Sequence, residues 1–158
     1  TTFVDGSQLD DDASIMIRMS ENVKGNLSIS QIATGQENNF TISIYGEKGA
    51  LHWAQENPNY AKFSQVGKAD QIITRGGAIQ NENSYAPIRI PPGHPEGYLE
   101  GFAQIYSDAA DIIINNKYKN ELLELLPGGG SGLQIMKFIN ASVNSSKNNS
   151  IWTDLSSI

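Results

Sequence analysis

The stretch Gly93-His94-Pro95-Glu96-Gly97-Tyr98 runs straight into an amphipathic segment, Leu99 to Asn116. His94 and Glu96 are the best polar pair in the sequence. An imidazole carries a proton near neutral pH, and a carboxylate suits the positive end of a helix dipole. Pro95 is expected at the first helical position, where its missing N–H costs nothing, which puts Glu96 in the first turn. Upstream lies the long irregular stretch Val66 to Pro92. A loop of that length delivering His and Glu to a helix start suits a binding site. The residues also suit a structural helix start, with His94 near the cap and Glu96 favouring the dipole.

Other constellations carry less chemistry. Gly128-Gly129-Gly130-Ser131-Gly132 precedes a helical pattern, but Leu133 stands where a dinucleotide fingerprint needs its last Gly, and no P-loop Lys follows. It reads as a loop with Ser131 as helix cap. Asp10-Asp11-Asp12 lacks the alternating spacing of a calcium loop, so no metal site is expected. Glu47-Lys48, between Gly46 and Gly49, reads as an exposed hairpin tip. His52 beside Trp53 reads as a packed or cross-strand partner, and Trp53 and Trp152 as core or interface. No Ser stands on a G-x-S-x-G elbow, so no Ser-His-Asp triad is expected.

The elements that must position these residues fall in two halves. Alternation predicts strands over Ala13 to Ser20, Asn26 to Ile32, Phe40 to Tyr45, Ala50 to Gln55 and Ala61 to Gln65, with a short strand near Ile72. Short turns between them predict an antiparallel meander. Their polar positions are mostly Ser, Thr, Asn and Gln, as on a face covered by another subunit or a ligand, although a solvated face with local bias reads the same way. In the second half, Tyr98, Phe102, Ile105, Ala109 and Ile112 form one helical stripe, and Gly97 and Gly101 could permit close helix–sheet approach. A second helix is expected over Ser131 to Lys147 with the stripe Ile135, Met136, Ile139 and Val143, then a short final strand over Ser150 to Thr153. The expected class is α+β: an open, mostly antiparallel sheet with helices packed on one face and the other face available for oligomerisation.

The 158 residues suit a single domain, 1–158. A net charge of -6 with scattered basic residues argues against nucleic acid. No apolar run reaches a membrane span. The absence of Cys excludes disulfides and thiolate metal sites and accords with a reducing, cytoplasmic setting. The start Thr1-Thr2, without Met, leads us to expect residues cut from a longer protein.

Ile44-Tyr45-Gly46-Glu47-Lys48-Gly49-Ala50-Leu51-His52-Trp53 with Gln55-Glu56-Asn57-Pro58-Asn59 resembles a stretch of one enzyme family. So do Gly93 to Tyr98 with Phe102 and Ile105-Tyr106, and Gly132-Leu133, Phe138-Ile139, Ala141-Ser142 and Trp152. The family is the glucose–fructose oxidoreductase, inositol dehydrogenase and rhizopine-catabolism group (Gfo/Idh/MocA). The resemblance implies a parent with an N-terminal Rossmann domain binding NAD or NADP, and a C-terminal α+β domain that shapes a sugar or polyol pocket and buries its sheet in a homo-oligomer. This chain resembles that second domain, truncated at its start. The family's dinucleotide fingerprint, its Glu-Lys-Pro motif and its catalytic Asp and His have no counterpart here. Its usual Asp-Gly before the last helix is replaced by Ser131-Gly132.

The resemblance therefore implies an NAD(P)-dependent sugar or polyol oxidoreductase whose isolated C-terminal part does not turn over. It implies that His94, Glu96 and Tyr98 line the pocket and supply orientation and hydrogen bonding. No catalytic, cofactor-binding or metal residue is expected within the chain itself. The other reading is a stand-alone ligand-binding or protein-interaction module without enzymatic activity.

Overall fold

A computed structural model describes residues 1–77, 88–115 and 126–158. Ile79, Pro87 and Asn116, and most of the stretch from Glu121 to Pro127, lie outside them. The chain divides into two compact units, one made of 1–36 with 129–158 and the other of 37–128.

In the first unit, β1 (Asp12–Arg18) pairs antiparallel with β2 (Lys24–Ser30), with Ile15 opposite Leu27. Burial along β1 follows the expected period of two: Ala13, Ile15 and Ile17 are half-buried, Ser14, Met16 and Arg18 exposed. Asp11 anchors the strand's start, its carboxylate accepting from the Phe3 and Val4 amides at 2.9 Å. The Val4 N–H above all, with Phe3, holds the Asp11 carboxyl below its usual value. The aspartate triplet thus serves the backbone.

The long helix of this unit runs over Gly129–Lys147. It begins before Ser131, so Ser131 lies inside the helix and does not cap it. Its covered side is also not the expected stripe. Of that stripe Ile135, Met136 and Ile139 are exposed and only Val143 is half-buried, whereas Ala141 is buried and Phe138, Ser142 and Ser145 are half-buried. The cause is the chain that follows. Asn149 and Ser150 take left-handed φ of 57° and 59°, which reverses the chain where a strand was expected. The tail then folds back: Ser145 Oγ donates to Ile151 O at 2.7 Å and Lys137 Nζ to Ile158 O at 2.5 Å. No strand forms over Ser150 to Thr153. Asp154 instead caps a short 3-10 turn, Leu155–Ser157. Arg18 lies over the Trp152 ring at 3.8 Å, a cation–π contact between β1 and this tail.

In the second unit, β3 (Thr41–Gly46), β4 (Gly49–Ala54), β5 (Tyr60–Gln65) and β6 (Gln71–Thr74) form an antiparallel meander in that order. Among the described residues the strands thus form two sheets, not one, and the class is the expected α+β. Gly46 pairs with Gly49, so Glu47-Lys48 is the expected hairpin tip. Cross-strand register puts Ser43 beside His52, whose Nδ1 lies 2.8 Å from the Ser43 hydroxyl. His52 is a cross-strand partner. Trp53 donates to Pro58 O at 3.1 Å and meets Phe40 edge-on.

The helix of this unit, Tyr98–Asn115, is labelled α1, and Gly129–Lys147 is α2. The expected α1 stripe is covered only in its second half, where Ala109 and Ile112 are half-buried. Tyr98, Phe102 and Ile105 are 70, 47 and 51% exposed, while Glu100, Ala103, Gln104 and Ser107 are half-buried. Arg89 accounts for the cover on the polar side: its Nη2 donates to Ala103 O at 2.9 Å and to Ser107 Oγ, drawing the segment before the helix across it. A Cβ at Gly97 or Gly101 would meet nothing within 4 Å, so no close helix–sheet approach uses them.

Candidate functional site

The segment 88–97 leads into α1 and is tied down by polar contacts from the meander. Helix α1 starts at Tyr98, so Pro95 is not its first residue and Glu96 is not in its first turn. Gly97 takes the cap position: its carbonyl accepts from Gly101 N at 3.0 Å, and its N–H donates to Glu100 Oε2 at 2.8 Å. This is the return half of a capping box. The Gly97 N–H is the main reason the Glu100 carboxyl is held below its usual range. The dipole-favouring carboxylate of the helix is therefore Glu100.

Glu96 turns the other way. Its Oε1 accepts from the Arg89 and Ile90 amides, both at 2.6 Å, and lies 3.3 Å from Arg75 Nη1. The Glu96 and Arg75 side chains are only 9% and 16% exposed. A charged pair this far from water needs further hydrogen bonds to offset desolvation, and both partners have them.

Arg75 follows β6. Its Nε donates to Asn59 Oδ1 at 2.9 Å, its Nη1 to Ile90 O at 3.1 Å, and its Nη2 to His94 O at 2.5 Å. Asn59, in the turn between β4 and β5, receives the Glu96 N–H on Oδ1 at 3.0 Å and donates from Nδ2 to Glu96 O at 2.8 Å. Two motifs quoted from the sequence, ending in Asn59 and centred on Glu96, thus meet in space.

This arrangement gives the sequence-expected residues different settings. His94 is exposed, and its carbonyl is held by Arg75. Tyr98 is 70% exposed and lies against Phe102 at 4.7 Å between ring centroids. Glu96 sits behind them with its carboxylate turned onto backbone amides. Asn59, Arg75 and Arg89 were not singled out by sequence reasoning. Asn59 lay inside a quoted motif without a role. Arg75 and Arg89 carry no local signal, because each acts on backbone carbonyls that only the fold supplies. Among the described residues, no buried side-chain nitrogen or oxygen lacks a partner, and no group of His, Asp or Glu is set to hold a metal ion.

The chain belongs to the oxidoreductase family whose C-terminal alpha/beta domain model, GFO_IDH_MocA_C, matches residues 2–155. It is 27% identical over 149 residues to the uncharacterized oxidoreductase YfiI of Bacillus subtilis (strain 168), covering 92% of this chain and 38% of that protein. Among solved structures it is similar to an oxidoreductase from Sinorhizobium meliloti, with 40% identity and a TM-score of 0.90 over 98% of this chain and 44% of that one. It also shares the fold of an inositol dehydrogenase homolog from Azotobacter vinelandii complexed with NADH and myo-inositol, at 24% identity and TM-score 0.82, over 94% of this chain and 40% of that one. The chain thus spans less than half the length of these relatives.

The described residues do not fit a nicotinamide dinucleotide. Such a cofactor sits where parallel strands feed helices in a βαβ unit, and every strand pair here is antiparallel. The glycines opening α2 face open space, with nothing within 4 Å of an added Cβ at Gly129, Gly130 or Gly132. Among the described residues, no helix is long and apolar enough to cross a membrane.

Proposed function

We propose that this chain is the substrate-binding and oligomerisation part of a nicotinamide-dependent oxidoreductase acting on a CH–OH group of a sugar or polyol, and that it does not turn over alone. The observation that carries the reading is the segment 88–97. Half-buried Asn59, Arg75 and Glu96 fix a backbone that leaves His94 and Tyr98, four positions apart, exposed. A polar loop held this firmly suits recognition of a hydroxylated ligand, because pre-set donors and acceptors orient it at low entropic cost. His94 and Tyr98 hydrogen-bond ligand hydroxyls, and Glu96 serves the pocket from behind by holding their backbone.

The myo-inositol and NADH of the Azotobacter vinelandii homolog support a polyol and a nicotinamide. Hydride transfer needs a cofactor held against the substrate, a task these residues leave to other parts of the parent. Ile42 and Ile44, on one face of the meander, are 45 and 60% exposed. Thr41, Ser43, His52 and Ser64 lie on the other. Exposed apolar rows of this kind support burial of the sheet in a homo-oligomer. The absence of cysteine accords with a cytoplasmic setting.

The test is an assay of the full-length parent with NAD+ and NADP+ against sugars and polyols, myo-inositol included. The parent reduces the nicotinamide and this chain alone does not. His94→Ala raises KM for the preferred polyol about tenfold or more, with KM for the cofactor unchanged. Unchanged kcat and KM across all ligands remove His94 from the site. Light scattering on the chain shows self-association, and a strict monomer at high concentration counts against the oligomer.

A further inference from the structure

We propose that Arg75 is the positioning residue for ligand recognition by this loop, acting through the backbone of His94; the inference rests on the function proposed above. The backbone of His94 has limited freedom. Gly93 before it takes a φ of 86°, a conformation that L side chains rarely adopt. Pro95 after it has a fixed φ and confines the residue before it to extended conformations. Within that extended region a range of ψ remains to His94, and the direction of its carbonyl reports that angle. Arg75 Nη2 holds this carbonyl.

The same guanidinium reaches Ile90 O with Nη1 and Asn59 Oδ1 with Nε, so one rigid plane ties together the end of β6, the β4–β5 turn and both ends of the loop. The backbone N–H of Arg75 also donates to Asn59 O at 2.9 Å, which fixes the base of the side chain. The geometry suits Arg specifically. A lysine ammonium is a point donor on a flexible stem and cannot serve acceptors spread around a plane. Loss of the fork leaves the fold's ladders intact and lets the His94 ring drift, and a drift of about 1 Å is enough to weaken recognition.

The experiment compares Arg75→Lys, His94→Ala and the double variant in the full-length parent. Arg75→Lys raises KM for the polyol about tenfold and leaves KM for the cofactor within about twofold. The double variant is no worse than His94→Ala alone, because one residue acts through the other. Hydrogen exchange of the Arg89 and Ile90 amides speeds up about tenfold in Arg75→Lys. If His94→Ala raises KM while Arg75→Lys leaves it unchanged, the positioning role is overturned and the functional reading stands. If His94→Ala changes nothing, the functional reading fails, and this inference with it. Additive effects in the double variant also overturn the role, since Arg75 then acts independently of His94. Should Arg75→Lys precipitate, Arg75→Gln is put through the same comparison. Lys62→Ala, which breaks an exposed pair with Asp70, leaves every KM unchanged.

Discussion

Asn59 grips both sides of the Glu96 backbone: its Oδ1 accepts the Glu96 N–H at 3.0 Å while its Nδ2 donates to the Glu96 carbonyl at 2.8 Å. An amide side chain here stands in for a partner strand. It satisfies a residue that lies outside any ladder, and it does so across half the unit.

Replacement of Asn59 by Ala leaves the Glu96 N–H and carbonyl and the Arg75 Nε without their acceptor or donor. Unmade hydrogen bonds at half-buried groups cost about 1–3 kcal/mol, and urea unfolding of Asn59→Ala shows a loss in that range. Asn59→Asp keeps an acceptor for the Glu96 N–H but sets a carboxylate oxygen against the Glu96 carbonyl, so its midpoint also falls below that of the unaltered chain.

The Glu100 carboxylate gives the start of α1 a pH dependence. Its folded pKa is lowered, first by the Gly97 N–H. The stabilisation is therefore full above the ordinary value of 4.5 and fades as pH falls through the lower folded value. Thermal midpoints taken downward through this window drop for the unaltered chain. Glu100→Gln, which keeps an acceptor without the titration, shows a shallower drop.

Gly76→Ala is a stringent check on how the loop lies against β6. Gly76 has a φ of 73°, and an added Cβ would stand 2.9 Å from Pro92 Cγ. Strain at such a position costs about 1–3 kcal/mol, and denaturant unfolding shows it. Gly97→Ala, with open space around its Cβ, costs less.

Arg18 and Trp152 couple β1 to the tail at 3.8 Å. Both are exposed, so a double-mutant cycle with Arg18→Ala and Trp152→Phe gives a coupling of about 0.5–1 kcal/mol. A coupling of zero places the Trp152 ring elsewhere.

The strands were legible because alternation reports a local property, the side of the ladder on which each residue falls. The half-buried Ala13, Ile15 and Ile17 follow from it, and Gly46 opposite Gly49 follows from the two-residue turn between them. The helix ends and covered faces were not legible. Pro95 is a good first helical residue by propensity, but the segment before α1 is bound by Asn59 and Arg75, and the helix starts only when the Glu100 side chain can return to Gly97. The apolar stripe of α1 was read correctly as a stripe, yet Arg89 draws the chain over the polar side. The strand expected at Ser150 was undone by left-handed backbone at Asn149 and Ser150, a conformation that Asn favours and that no period reveals. His94, Glu96 and Tyr98 were singled out together, and the fold divides them into two exposed side chains and a half-buried anchor.

The bond between Asn59 and Glu96 joins positions 37 apart, whereas the hairpins of the meander close over short turns. Closing a longer loop loses more chain entropy and is rewarded later. The segment 88–97 therefore docks onto strands that have already formed, and it is the first to detach. Under mild denaturant or heat, the bonds of this segment open while the ladders persist, so protection of the Arg89 and Ile90 amides is lost ahead of any strand signal.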